Sequence, residues 1–135
     1  MTHYTSYDLI EWAKPFEKRK NALPKPKGSE VLIRVTAAGL CHSDLHVQKG
    51  YMDLGNEGRL TFAERGAELP MTFGHEIAGV VENTGADANS FKKGQQVLVF
   101  PWIGCGECAA CKEERESDCA SMRIIGLKQK GGFAT

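Results

Sequence analysis

Residues 31–38 read "VLIRVTAA", a short run of apolar and β-branched residues that predicts a buried strand. The run lies between "PKPKG" at residues 24–28 and Gly39. Two further segments have the same character: "HEIAGVVENTG" at 75–85, closed by Gly85, and "VLVFPW" at 97–102, which follows a turn at "SFKKGQQ". Short strands separated by glycine turns favour a mainly β fold with short helices, of the partly open barrel type.

The connections between these strands are short or irregular. The segment "LCHSDLHVQKG" at 40–50 predicts one or two helical turns that end at Gly50. Residues 51–70 contain three glycines and many charges, and they predict an exposed excursion with a helical turn. No strand alternates with a long amphipathic helix, so the pattern of a Rossmann domain is missing. We therefore expect residues 1–135 to form one domain.

Length and charge exclude several classes of function. The 135 residues suffice for a single hydrophobic core, and 17 Lys and Arg balance 17 Asp and Glu. This zero net charge leaves no basic excess to bind nucleic acid or an anionic membrane. The N-terminal "MTHYTSYDLIEW" lacks the features of a signal peptide, and the longest apolar stretch, 97–103, is too short to span a bilayer. We expect a cytoplasmic protein, in which structural disulfides are disfavoured.

Four of the five cysteines lie in one loop, "GCGECAACKEERESDC", at residues 104–119. The pattern is C-x2-C-x2-C-x7-C, formed by Cys105, Cys108, Cys111 and Cys119. Four thiolates can close a tetrahedral shell around zinc, and the small residues between them allow close approach of the backbone. The rival iron–sulfur run ends in C-x3-C-P, whereas Ala120 follows the last cysteine here. Two disulfides would need an oxidising compartment. We predict a structural zinc lobe over residues 104–120.

The fifth cysteine, Cys41, belongs to a second group of polar residues. The stretch "CHSDLH" offers a thiol, two imidazoles, a hydroxyl and a carboxylate just after the first predicted strand. The stretch "GHE" at 74–76 adds an imidazole and a carboxylate just before the second. A lone cysteine is more often a small buried apolar residue. Together, however, these groups are the ligand types of a catalytic metal site that keeps one position open.

In this order, "LCHSDLH", "GHEIAGVVENTG" and the four-cysteine loop resemble the N-terminal half of the zinc-dependent alcohol dehydrogenases, the medium-chain family. The family pattern G-H-E-x2-G-x5-G-x2-V matches at Gly74, His75, Glu76, Gly79 and Gly85, with Ala88 in place of the final valine. The resemblance implies a GroES-like catalytic domain. It also implies oxidation of an alcohol to an aldehyde or ketone, or the reverse, with NAD or NADP as the hydride partner.

The resemblance further implies a catalytic zinc site. Cys41 and His75 match the first two zinc ligands of the family, and Glu76 matches a neighbouring carboxylate that can exchange as a ligand. Asp44 matches an acid that orients a ligand imidazole. The stretch between these motifs looks longer than in most relatives, with the surplus near "NEGRLTFAERGAE".

Three residues are implied in proton transfer and cofactor binding. Ser43 matches the hydroxyl that takes the proton of the substrate, and His46 matches the histidine that relays it to solvent. His42 falls where the family often has a cation or imidazole facing the pyrophosphate of the cofactor. A solvent-facing side chain fits the sequence at His42 equally well.

Two parts that the family needs are missing from these residues. The tight glycine pair Gly131-Gly132 has no strand and helix around it to bind a dinucleotide, and no cysteine follows Cys119 to complete the catalytic zinc site. The ending "GGFAT" resembles the start of a family strand. We therefore expect a truncated catalytic half with little or no activity alone. Water, Glu76 or a neighbouring chain would have to replace the missing ligand.

Two other functions remain open at this point. One is a non-catalytic zinc module for folding or oligomerisation, and the other is an iron–sulfur electron carrier. For the dehydrogenase, we expect a small alcohol, aldehyde or ketone substrate and no nucleic-acid or membrane partner. We also expect a homo-oligomer, or self-association through an apolar face that a cofactor domain would cover.

Overall fold

Short strands dominate the computed structural model, which describes residues 2–135. The strands are β1 (His3–Leu9), β2 (Glu17–Ala22), β3 (Val31–Gly39), β4 (Tyr51–Asp53), β5 (Arg59–Thr61), β6 (Met71–Thr72), β7 (Glu76–Thr84), β8 (Gln96–Val99), β9 (Trp102–Ile103) and β10 (Arg123–Ile124). The helices are α1 (His42–Lys49) and α2 (Ala109–Lys112), and single 3-10 turns cover Gly55–Glu57 and Glu116–Asp118. The predicted mainly β class with short helices is confirmed.

The three predicted strands form one antiparallel sheet, in the order β3-β7-β8. The pairing of β3 with β7 runs from Val31 opposite Thr84 to Gly39 opposite Glu76. The predicted strand at 97–102 is divided, because Pro101 lacks the amide hydrogen that a ladder needs. Its residues are shared between β8 and β9, and the Pro101 carbonyl instead accepts a hydrogen bond from the Ile125 amide at 2.9 Å.

A second sheet, in the order β2-β1-β6, was not predicted. The strand β2 reads "EKRKNA" and is almost wholly exposed, so it carries no apolar alternation that a sequence pattern could reveal. It forms because its backbone pairs with β1 along six residues, and its lysines suit an edge strand. The strand β1 supplies Leu9, which is fully buried.

The main hydrophobic core lies between α1 and the β1–β6 pair. Its buried members are Leu9, Val47, Phe62 and Phe73. The Phe16 ring meets Phe73 edge-on, with 5.6 Å between the ring centroids. Burying a side chain of this size contributes about 1.5–3 kcal/mol, so this cluster fixes α1 against the sheet.

The segment 51–70 is mostly exposed, as predicted, but one of its residues, Phe62, is buried. The segment forms the β4–β5 hairpin around the 3-10 turn at 55–57, which accounts for the predicted helical turn. The Arg59 guanidinium lies 4.3 Å from the centre of the Tyr51 ring, across the hairpin. Phe62 then enters the core, and this apolar anchor is the reason that the segment packs against the domain.

The strands of residues 2–135 form four separate sheets: β2-β1-β6, β3-β7-β8, β4-β5 and β9-β10. None of the four closes on itself, so these residues form no closed barrel. No helix within the same range is long and apolar enough to cross a membrane.

Candidate metal centres

The first centre forms where β3 ends and β7 begins. Because Gly39 pairs with Glu76, the residues just beyond the two strand ends are brought side by side. Cys41 is the residue that caps the N-terminus of α1, and His75 directly precedes β7. The Cys41 Sγ and His75 Nε2 atoms lie 3.3 Å apart. The sheet register therefore joins residues that are 34 positions apart in the chain.

Glu76 reaches this centre because its pairing partner is a glycine. A Cβ atom placed at Gly39 would overlap the Glu76 Oε2 atom and lie 3.0 Å from the Glu76 Cβ. The space that a side chain would fill is thus occupied by the carboxylate. Sequence reasoning used Gly39 only as a strand boundary and missed this role. The available signal was a glycine directly opposite the acid of the "GHE" motif.

One thiol, one imidazole and one carboxylate meet at this point. The ligand atoms of Cys41, His75 and Glu76 all lie within 4.8 Å of one another. Cys41 and His75 are half-buried, and Glu76 is exposed. Sulfur, nitrogen and carboxylate oxygen are the ligands that zinc accepts, and three protein ligands leave a fourth position for substrate. The residues therefore fit a catalytic zinc ion.

Asp44 holds Cys41 in place through the backbone. Its Oδ2 atom accepts a hydrogen bond from the Cys41 amide at 3.0 Å, and the Asp44 residue is 3% exposed. A carboxylate at this position accepts a hydrogen bond from an otherwise free amide at the start of α1. It also interacts favourably with the positive end of the helix dipole. The hydrogen bonds among residues 2–135 include none from Asp44 to an imidazole, which is the role that the sequence suggested.

The three residues assigned to proton transfer and cofactor binding all lie on α1. His42 and His46 are one turn apart, and their ring centroids are 4.3 Å from each other. His46 is half-buried, whereas His42 and Ser43 are exposed. The hydrogen bonds of the described chain do not link Ser43 to His46. The helix thus presents these groups beside Cys41.

The second centre is the four-cysteine loop. The sulfur atoms of Cys105, Cys108, Cys111 and Cys119 all lie within 4.8 Å of one another. A tetrahedron with metal–sulfur bonds of about 2.3 Å has edges of about 3.8 Å. The Cys105 and Cys111 sulfurs are 4.0 Å apart, close to that edge. A Cβ at Gly104 would lie 2.5 Å from the Cys111 sulfur, so glycine provides the room that the cluster needs.

The thiols of this loop differ strongly in acidity. Hydrogen bonds from the Glu107 and Cys108 backbone amides lower the pKa of Cys105 to about 6. The Gly106 amide lowers the pKa of Cys111, but partial burial and the hydrogen bonds to the other three sulfurs raise it to about 12 overall. Amide groups aimed at one sulfur favour a thiolate there, which is the form that binds metal.

Two ion pairs brace the span between the third and fourth cysteines. The Arg115 guanidinium binds the Glu113 carboxylate at 2.7 Å and also the Asp118 carboxylate. These contacts tie the end of α2 to the 3-10 turn that precedes Cys119. Sequence reasoning missed Arg115, although opposite charges at close spacing within the loop were the signal.

Comparison with known proteins identifies the class of this domain. Residues 27–135 match the family model described as "Alcohol dehydrogenase GroES-like domain". The chain belongs to this family, which confirms the resemblance to zinc-dependent alcohol dehydrogenases.

Particular relatives sharpen this result. The NAD-dependent alcohol dehydrogenase of Sulfurisphaera tokodaii is 42% identical over 127 residues, covering 93% of this chain and 35% of the relative. The crystal structure of the alcohol dehydrogenase from Aeropyrum pernix has a TM-score of 0.81 and 27% identity, covering 97% of this chain and 36% of that one. The D-arabinose dehydrogenase from Sulfolobus solfataricus has a TM-score of 0.78 and 32% identity, covering 99% and 36%. The chain thus spans about a third of the length of the relatives it matches.

Proposed function

We propose that this chain is the catalytic, zinc-binding part of an alcohol dehydrogenase. The reaction is the oxidation of an alcohol to an aldehyde or ketone, or the reverse, by hydride transfer to or from NAD or NADP. The observation that carries the proposal is the meeting of Cys41, His75 and Glu76 within 4.8 Å at the junction of β3 and β7. The relative from Sulfurisphaera tokodaii is named for an alcohol, and the structure from Sulfolobus solfataricus is named for a sugar. Both match this domain, which supports the type of reaction. Other residues would determine the substrate.

Cys41, His75 and Glu76 would hold the catalytic zinc. When bound there, zinc supplies Lewis-acid polarisation of the substrate oxygen. Glu76 serves as the third ligand of this chain, because Gly39 leaves its carboxylate room beside the thiol. Asp44 positions the Cys41 sulfur by fixing the backbone from which it projects. Groups that hold a metal ligand in position in this way adjust the site without contacting the metal.

The polar groups of α1 would handle the proton and the cofactor. Ser43 accepts a hydrogen bond from the substrate hydroxyl and takes its proton, and His46 passes that proton to solvent. His46 is half-buried, so it keeps some contact with water, which suits it to this relay. His42 is exposed on the preceding turn and would face the pyrophosphate of the cofactor.

The four cysteines of the lobe would hold a second, structural zinc. Four thiolates leave no open position for substrate, so this metal contributes to folding and not to chemistry. The presence of Cys41, His75 and Glu76 in one cluster, beside Ser43 and His46 on α1, argues against the alternative of a non-catalytic zinc module. The spacing before Cys119 and the family match likewise argue against an iron–sulfur carrier.

Activity requires parts beyond residues 1–135, on this proposal. The nicotinamide cofactor binds to a separate domain, and the isolated 135 residues oxidise alcohols little or not at all. We also propose a cytoplasmic location and self-association through exposed apolar surface. The relatives extend well past the matched third of their length, which supports the need for a further domain.

Native mass spectrometry of the zinc-loaded chain tests the proposal directly. We expect two zinc ions for the unaltered protein and one for His75→Ala, with the four-cysteine lobe still loaded. A matched control is His3→Ala, which changes a histidine on β1 outside both clusters and should keep both ions. Two ions in His75→Ala would refute the first centre. An iron mass would refute the zinc assignment altogether.

A spectroscopic readout separates the two centres. Cobalt in place of zinc gives thiolate-to-metal absorption whose intensity follows the number of sulfur ligands. We expect Cys41→Ser to keep the strong absorption of a cobalt ion bound by four thiolates, and Cys119→Ser to lose it.

An NAD(P)-coupled assay with short alcohols should show no turnover for the isolated chain, and clear turnover would contradict the need for a further domain.

A further inference from the structure

The glycine pair Gly131-Gly132, which has no strand and helix around it to bind a dinucleotide, lies against the segment that leads into β7. Three consecutive amides of residues 131–133 donate hydrogen bonds to the three consecutive carbonyls of residues 72–74. The pairs are Gly131 with Thr72 at 2.8 Å, Gly132 with Gly74 at 2.8 Å and Phe133 with Phe73 at 2.9 Å. The two segments are therefore joined along their whole length.

One of these hydrogen bonds acts on the backbone of His75. The Gly74 carbonyl and the His75 nitrogen belong to the same planar peptide unit. The bond from the Gly132 amide therefore restrains the plane in which the His75 Cα atom lies. His75 itself lies outside the paired residues of β3 and β7, whose pairing ends at Glu76 opposite Gly39. The register that places Glu76 thus does not by itself place His75.

Glycines allow the two backbones to lie in direct contact. A Cβ atom at Gly131 would overlap the carbonyl oxygens of Phe73 and Gly74. A Cβ atom at Gly74 would lie 2.6 Å from the Cδ1 atom of the Phe133 ring, and the φ of Gly74 is 90°, which favours glycine. A side chain at either position would separate the 131–133 segment from the residue before His75.

Both segments are also tied to β1. The Thr72 hydroxyl donates a hydrogen bond to the Asp8 Oδ1 atom at 2.6 Å, and both residues are buried. On the other segment, the Phe133 carbonyl accepts a hydrogen bond from the Tyr7 amide at 2.8 Å. The strand β1 therefore supports both sides of this backbone contact.

We propose that residues 131–133 position His75 at the Cys41 centre, through the Gly132 hydrogen bond and the close approach at Gly131. Each ligand of the centre then has its own support, namely Asp44 for Cys41, the β3–β7 register for Glu76, and the 131–133 segment for His75. The effect on metal binding rests on the proposed function. The distance of 3.3 Å between the His75 Nε2 and Cys41 Sγ atoms, in contrast, is a property of the fold alone.

Two matched glycine substitutions test this positioning. Gly131→Ala places a methyl group against the backbone carbonyls of residues 73–74 and should displace its own segment from them. Gly85→Ala places the same group against the backbone of residues 27–28, at the opposite end of β7. Neither glycine has a positive φ, so the backbone of each position accepts alanine. We expect both variants to lose similar stability against urea, and only the first to disturb the metal centre.

Nuclear Overhauser effects report the placement of His75 without metal at the Cys41 centre. The sample is the 135-residue chain with one equivalent of zinc, which should occupy the four thiolates of the lobe. Contacts between the ring protons of His75 and the β protons of Cys41 should appear in the unaltered chain and in Gly85→Ala, and should be lost in Gly131→Ala. Their persistence in Gly131→Ala, or their loss in both variants, would overturn the proposal.

Cobalt titration of the same samples measures the affinity of the Cys41 centre. We expect Gly131→Ala to bind cobalt about 10- to 100-fold more weakly, as when a group that supports a metal ligand is removed, and Gly85→Ala to stay within about twofold. Unchanged affinity in Gly131→Ala would overturn the positioning and leave the proposed function intact. A lack of cobalt at this centre in the unaltered chain would refute the proposed function, and the Overhauser contacts would still decide the positioning.

Hydrogen exchange tests the same coupling without any substitution. If the hydrogen bond of the Gly132 amide favours metal binding, metal binding must strengthen that hydrogen bond to the same degree. Loading the Cys41 centre should therefore slow exchange of the Gly132 amide more than exchange of the Gly85 amide, which donates to the Glu30 carbonyl at 2.8 Å. Equal slowing of the two amides would mean that the metal stabilises the domain as a whole, and it would overturn the proposal.

Discussion

The two cysteine clusters of this domain are assembled in opposite ways. The lobe brings four sulfurs together within residues 105–119, and its geometry depends on tight turns and two ion pairs inside that one loop. The other cluster joins Cys41 to His75, which are 34 positions apart, through the pairing of two strands. The first is local in sequence, whereas the second depends on the fold.

This difference determines how each cluster fails. A local site can lose metal without disturbing the sheet, and the sheet can be strained without disturbing the local site. The strand-dependent site responds instead to any change in the register of β3 against β7, because a one-residue slip turns Glu76 to the opposite face. Substitutions that affect one cluster and spare the other can test this independence.

The largest effect is expected for Cys119→Ser. Cys119 is the buried member of the lobe, at 3% exposure, and its sulfur is one of the four that lie within 4.8 Å of one another. Structural zinc in small domains contributes on the order of 10 kcal/mol to folding, so losing one thiolate should lower lobe affinity by several orders of magnitude. Competition with a chelator measures this affinity. The matched variant Cys41→Ser should leave it unchanged, and a parallel loss there would show that the clusters are coupled.

The second effect is a difference in thiol reactivity within the zinc-free lobe. At pH 7 Cys105, with a pKa of about 6, is mostly thiolate, whereas Cys111, with a pKa of about 12, is protonated. We expect iodoacetamide to modify Cys105 at least about 100-fold faster, after allowance for the weaker nucleophilicity of the more acidic thiol. The Cys105 rate should fall as the pH drops through 6, because protonation removes the nucleophile.

Mass spectrometry of the digested protein gives both rates. Zinc should suppress them together, since every sulfur of the lobe is then a ligand. Equal rates for Cys105 and Cys111 in the zinc-free protein would mean that the Glu107 and Cys108 amides do not point at the Cys105 sulfur.

The local cluster was also the one that the sequence predicted more fully. The spacing of its four cysteines and the small residues between them are visible in 16 letters of sequence, "GCGECAACKEERESDC". The strands β3 and β7 were predicted because both are apolar runs that end at glycines. The strand β2 was not, because it is held by pairing with β1 and carries no apolar pattern. Phe62 was missed in the same way, as one apolar anchor inside a charged, glycine-rich segment.

Contacts that depend on register could not be derived from sequence. The meeting of Gly39 with Glu76 follows from how β3 and β7 align, including two irregularities within their pairing. The capping bond of Asp44 follows from where α1 begins. The family pattern named these residues as a group, but their contacts required the three-dimensional arrangement.

The third prediction is Gly39→Val, which tests that register. The new side chain would occupy the space of the Glu76 carboxylate and push it from the Cys41 thiol. We expect metal affinity at the Cys41 centre to fall about 10- to 100-fold, as when supporting groups around a metal are removed. The lobe should keep its affinity. Ala37→Val, at an exposed position on the same strand, is the control for a new β-branched residue in β3. Unchanged affinity in Gly39→Val would show that Glu76 does not contribute as a ligand.

The smallest effect is expected for Asp44→Asn. The change keeps the shape of the side chain and removes its charge, so the hydrogen bond to the Cys41 amide weakens without disappearing. Loss of a capping interaction costs about 0.5–2 kcal/mol, and a milder change should fall at or below the lower end. The favourable interaction with the helix dipole is lost as well. We expect a small drop in the free energy of unfolding and a metal affinity at the Cys41 centre lowered less than tenfold.

Asp53→Asn provides the matched comparison for this last change. Asp53 also accepts a backbone hydrogen bond, from the Gly55 amide at 2.9 Å, but it lies in the exposed β4–β5 hairpin away from both clusters. Similar losses of stability in the two variants, with weaker metal binding in Asp44→Asn alone, would assign Asp44 to the placement of the Cys41 sulfur. Equal metal affinity in both would restrict Asp44 to the start of α1. The Cys41 centre would then tolerate movement of the backbone at Cys41. Its metal affinity would depend mainly on the register of β3 against β7.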